Sequence, residues 1–166
     1  MKKWCKALGF LVLLGLVLSQ LNQILSFKYD DGILQMEQFY KQEPGSVDVL
    51  VLGSSHAFVD IDPAVLYERR GIAAYDLCAS MQSTWHTYYD LKEALKYQTP
   101  KLIVLDVYRI VENFDYSKES KLIKSVCGMR PSPDKLAAIR AGLSEEQQRD
   151  AYLYFLEFPL FHGRYT

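Results

Sequence analysis

The sequence predicts an α/β domain built on a parallel sheet and preceded by an N-terminal transmembrane helix, and three observations carry that reading. From Ala7 to Phe27 no charged residue occurs. At about 1.5 Å per residue this stretch is long enough to cross a hydrocarbon core near 30 Å. Three short apolar runs rich in β-branched residues, Val47–Leu52, Ile72–Cys78 and Leu102–Tyr108, read as strands. Between them lie helical patterns with their own caps. Strand, helix, strand, helix, strand with short connections implies right-handed crossovers and a sheet covered by helices.

Residues 1–27 form the membrane segment. Lys2, Lys3 and Lys6 precede the apolar run, which favours an N-inside, C-outside orientation. Val17 and Ser19 are small enough for a cleavage site, but no Ala-x-Ala motif is present, so an uncleaved signal anchor is expected over a cleaved signal. Cys5 precedes the run, which argues against a lipoprotein. Residues 28–46 connect this segment to the domain, with a short helix expected around Leu34, Phe39 and Tyr40, and end in the turn signal Glu43-Pro-Gly-Ser46.

The domain, residues 47–166, opens with the strand Val47–Leu52, which runs directly into Gly53-Ser54-Ser55-His56. Asp62 and Pro63 form an N-cap and first-turn pair for a helix over Ala64–Arg70, closed by Gly71. After the second strand, Ser83 caps a helix that starts near Thr84 and carries Tyr88, Leu91, Leu95 and Tyr97 until Pro100 stops it. The third strand is the strongest in the chain. Beyond Val111 only helices are expected: Lys118–Val126, one opened by Pro133 and Asp134, and one opened by the capping box Ser144-Glu-Glu-Gln147. That last helix carries Leu153, Phe155, Leu156 and Phe158 before Pro159. No fourth strand is in view through Phe161–Thr166, so the sheet reads as incomplete.

Composition excludes several functions. At 49% hydrophobic and 23% charged the chain is globular in type. Its net charge of −1 provides no basic excess, and its twelve Tyr and eight Phe have no Lys/Arg stripe beside them, so nucleic acid is not an expected partner. Cys5, Cys78 and Cys127 have neither Cys-x-x-Cys spacing nor a paired His, so no zinc site, other metal or cofactor is expected. Cys78 and Cys127 are expected as buried free thiols, with a disulfide as the alternative in an oxidising compartment.

In an open α/β sheet the ligand crevice lies beyond the carboxyl ends of the strands. Gly53–His56 sits at that edge. A serine on such a turn exposes its hydroxyl beside backbone N–H groups suited to an oxyanion, and the glycine lets the chain leave the strand sharply. A plain strand-to-helix turn would have the same residues.

Taken with the N-terminal anchor, the strand ending Val51-Leu-Gly-Ser-Ser-His-Ala-Phe58 resembles the SGNH/GDSL hydrolase superfamily. More closely, it resembles the membrane-anchored, extracytoplasmic branch that includes the DltD-like proteins of teichoic acid D-alanylation and related envelope O-acyltransferases. The resemblance spans Val47 to Tyr108 and implies a three-layer, flavodoxin-like (SGNH-type) parallel sheet, here incomplete. In the Gly-Asp-Ser pattern Gly53 matches the Gly, Ser54 replaces the Asp and Ser55 matches the nucleophile. The implied chemistry is that of an esterase or acyltransferase: Ser55 attacks an acyl carbonyl and the acyl group passes to water or another hydroxyl. The implied partners are the bilayer and a cell-envelope polymer or acyl-donor protein.

The other blocks depart from the family. No Gly follows strand two, where Gln82 or the Ala79 N–H is the expected substitute at the oxyanion. Strand three ends Leu105-Asp-Val-Tyr108 instead of a Gly-x-Asn-Asp element, with Asp106 read either as a pocket residue or as a strand carboxylate paired with a loop donor. The family's Asp-x-x-His occurs nowhere. His56 adjoins Ser55 and points elsewhere, so it is expected to line the pocket; His86 is expected at the surface or capped, with the crevice as alternative; His162 is a terminal residue. The expectation is therefore an N-terminal half whose base lies in a missing half, or a catalytically dead relative that binds without turnover.

Overall fold

The computed structural model describes residues 2–25, 31–109 and 119–155. Helix α1, Lys2–Leu25, is long and apolar enough to cross a membrane. Trp4, Leu8, Phe10 and Leu13 stand exposed along it. Within α1 only Leu18, Asn22 and Leu25 are partly covered. Their i, i+4, i+7 spacing puts them on one face.

Helix α2, Ile33–Phe39, buries Ile33, Met36 and Phe39 on a single stripe. Strand β1, Val49–Gly53, follows and is the middle of a three-stranded sheet of order β2-β1-β3. Strand β2 is Ala74–Cys78 and strand β3 is Leu102–Leu105, both parallel to β1. The register pairs Gly53 with Cys78 and Leu52 with Leu105. Each strand begins or ends a few residues inside its predicted run, as expected of element boundaries.

Between β1 and β2 lie α3, Ser55–Asp60, and α4, Pro63–Arg70. The α4 signals act as the sequence implies: the Asp62 carboxylate accepts from the Ala64 and Val65 N–H groups, and Gly71 takes φ +66° at the helix end. Helix α5, Thr84–Ala94, leads to β3 and is capped by Ser83, whose hydroxyl accepts from the His86 N–H at 3.4 Å. It ends before Leu95 and Tyr97. Leu95 is exposed, and Tyr97 packs edge-on against Tyr40.

Helix α6, Glu119–Val126, and α7, Pro133–Gly142, follow, the latter capped by Ser132. After α7 the predicted capping box forms by half. The Gln147 side chain accepts from the Ser144 N–H at 3.3 Å, but the Ser144 hydroxyl donates to Gln147 instead of capping the helix. The chain there makes a 3-10 turn, Glu146–Asp150, before α8, Ala151–Phe155. Leu156, Phe158, Pro159 and His162 lie outside the described residues.

Alternation along β1 sends its side chains to two cores. Leu50 and Leu52 join Leu77, α2, Ala94 of α5 and residues of α6 to α8 on one face. Val51 meets Ala57, Cys78 and the partly buried Phe58, Ile61 and Val104 on the other. Both faces of the central strand are thus covered by helices. The third strand does not have the buried position its apolar run suggests. β3 is an edge strand, and Leu102, Ile103 and Leu105 are exposed. Cys78 and Cys127 are buried thiols not joined in a disulfide, and the Cys78 thiol donates to the Val51 carbonyl.

Candidate functional site

The strand order places β1 between a first crossover to β2 on one side and a second to β3 on the other. The carboxyl ends of β1 and β3 therefore flank the point where the chain reverses direction, the position at which open α/β sheets hold ligands. Gly53, Ser54, Ser55 and Asp106 meet there.

Gly53 is required by close approach. A Cβ at this position would lie 2.4 Å from the Cβ of Asp106, and the backbone is at φ +155°. Ser54 is the N-cap residue of α3, but its hydroxyl does not cap. It donates to Asp106 Oδ2 at 2.6 Å, and the Ser54 N–H donates to the same oxygen at 3.1 Å. Asp106 Oδ1 accepts from the Tyr108 N–H at 2.8 Å, and the Asp106 N–H donates to the Leu52 carbonyl. Desolvation disfavours the Asp106 charge. The bonds from the Ser54 hydroxyl and the two N–H groups, with His56 nearby, outweigh it and hold the carboxyl below its ordinary range.

Ser55 is the first residue of α3 and is half-buried. Its hydroxyl has no hydrogen-bond partner among the described residues. His56 is exposed, with its ring edge-on to Tyr108 at 4.0 Å. A cavity of about 200 Å³ lies on the α5 side of this turn, lined by Leu52, Ser54, Gln82, Leu91, Leu105 and Asp106 among others. Ser54 borders it; Ser55 does not.

Gln82 lines the cavity as expected, yet its donors are engaged. Nε2 is within 3.2 Å of the Leu77 carbonyl, Thr87 Oγ1 and Asp90 Oδ2. The Leu77 contact fixes the amide orientation, since a carbonyl can only accept. The Ala79 N–H is engaged as well, donating to the Gly53 carbonyl at 3.3 Å. Neither of the two substitutes proposed for the oxyanion has a donor to offer in this arrangement.

Of the readings of His86 as a surface or capped residue or as one facing the crevice, the surface and crevice readings are corrected, while its N–H does bond the Ser83 cap. His86 is buried, and its Nε2 is 2.9 Å from Asp90 Oδ2, one helical turn along α5. Burial pushes the Asp90 carboxyl up, while His86 pulls it down. The i, i+4 spacing of His86 and Asp90 was the signal available for this pair. The imidazole is enclosed and does not border the cavity beside Ser54. Among the described residues no cluster of His, Cys, Asp or Glu is arranged to hold a metal ion.

Compared with protein-family models, curated proteins and solved structures, the chain matches none.

Proposed function

We propose that the chain is a membrane-anchored protein whose domain faces the extracytoplasmic side and carries a serine-centred crevice for acyl esters of cell-envelope glycans or polymers. The observation that carries this reading is the Gly53–Ser54–Asp106 junction. It fixes the strand-to-helix turn at the switch point of the sheet and leaves the Ser55 hydroxyl unengaged at the start of α3. In the reaction the Ser55 oxygen bonds to the acyl carbon, the bond from that carbon to the leaving oxygen breaks, and the Ser55 proton passes to a base. The acyl group then transfers to water or to a polymer hydroxyl. Ser54 and Asp106 position Ser55; they do not take its proton. The anchor is assigned to α1, with its Lys-bearing end inside.

The base comes from outside the described residues on this reading, because His56 is turned to Tyr108 and His86 is held by Asp90. The enclosure of His86, with the engaged Gln82 and Ala79 donors, favours a second reading: the same crevice binds a polymer without turning it over.

The two readings separate on acylation. Incubated with an activated acetyl ester, the wild-type chain should gain one hydroxylamine-labile acetyl group by intact mass, and Ser55→Ala should gain none. An equal labile adduct in both would remove Ser55 as nucleophile. Absence of any labile adduct, together with retained binding of an acylated glycan, would establish the binding reading.

A further inference from the structure

A second cavity lies away from the sheet, between the C-terminal turn of α1 and the loop after α6. It has a volume of about 430 Å³ and is bordered by Asn22 and Gln23 of α1, by Glu37, Tyr40 and Lys41, and by Arg130. Three observations give it a chemistry.

The first is depth. From Lys3, where the candidate span begins, to Gln23 the helix rises about 30 Å at 1.5 Å per residue, so with the N-terminal lysines snorkelled to one headgroup layer Asn22 and Gln23 reach the other. The second is the hold on Arg130. Its guanidinium sits 4.1 Å over the Tyr40 ring and 5.5 Å from the Tyr97 ring, and its backbone N–H donates to the Tyr40 hydroxyl at 3.1 Å. Tyr40 in turn donates to the buried Glu93 at 2.7 Å. A cation fixed over ring faces keeps its N–H donors for an anion. The third is charge. Arg130 and Lys41 against Glu37 leave one net positive charge among the ionised groups of the lining, which suits a singly charged phosphate diester better than a doubly charged monoester.

We propose that this groove binds the phosphate diester of an anionic phospholipid, with Arg130 as its principal ligand and Lys41 as the second cation. The proposal rests on α1 lying in a membrane. It would make the lipid a wedge between the anchor and the domain, setting the domain's tilt over the surface.

The test uses the full chain in nanodiscs of phosphatidylcholine, with and without phosphatidylglycerol, analysed by native mass spectrometry on release. Wild type should retain one phosphatidylglycerol in preference to phosphatidylcholine. Arg130→Gln should lower that retention about tenfold, as loss of a charge-assisted phosphate contact does. Lys41→Gln should lower it less. Equal retention by wild type and Arg130→Gln would overturn the proposal, as would displacement of the lipid by millimolar inorganic phosphate, which would mark the groove as a free-anion site. Failure of the chain to enter phosphatidylcholine discs at all would overturn the membrane reading and the lipid site with it, and is distinguished from the other outcomes because no disc complex forms.

Discussion

At the scale of single residues, the junction between Gly53, Ser54 and Asp106 does two jobs through one short set of contacts. It closes the crevice end of the sheet and it sets where α3 begins. Gly53→Ala should destabilise the domain by about 2 kcal/mol, in the range for overpacking a tight site, because the new methyl meets the Asp106 side chain. Urea unfolding checks this, and an unchanged midpoint would contradict it.

Asp106 also makes a pH prediction. Its folded pKa lies below the ordinary carboxylate value near 3.9, so the stability from its ionised form is present above that value and lost as pH falls through the lowered folded one. The stability gap between wild type and Asp106→Asn should therefore be present at neutral pH and shrink on acidification. A gap that widens at low pH would contradict the assignment. His86→Ala, which leaves the buried Asp90 carboxyl with the Gln82 amide in place of the imidazole and Gln82 together, should cost about 3 kcal/mol, read in the same unfolding experiment.

At the scale of elements, helix ends were the most legible part of the sequence, because capping depends on residues within a few positions. Asp62, Ser83 and Gly71 each act where their type and spacing put them. Asp62→Ala should cost about 1 kcal/mol, measured by thermal unfolding, since the two N–H groups it serves then turn to water. What local pattern could not show was position in the sheet. The Leu102–Leu105 run has the composition of a buried strand, yet among the described residues β3 is an edge that pairs with β1 alone. The same limit applies to the site. The Gly53–Ser55 turn and Asp106 were visible as candidates, but their meeting depends on β1 and β3 pairing across about fifty residues of chain. The burial of His86 depends on what packs against α5, which spacing alone does not state.

At the scale of the whole molecule, a helix with Trp4, Leu8 and Phe10 exposed adjoins a domain whose central strand is covered on both faces while β3 keeps Leu102, Ile103 and Leu105 exposed. The exposed apolar surface of α1 suits an apolar phase such as a bilayer, by length and composition. In cells the full-length mass should persist in the membrane fraction after an alkaline carbonate wash. Recovery of a soluble chain shortened by the length of α1 would show a cleaved signal instead of an anchor.

On the proposed function Ser55, the first residue of α3, is the group that reacts with the acyl ester. The most direct test is to treat the full chain with a fluorophosphonate and locate the adduct by peptide mass spectrometry. A single adduct on Ser55 that disappears in Ser55→Ala is expected. An adduct on Ser54, or labelling of Ser55→Ala equal to wild type, would contradict it.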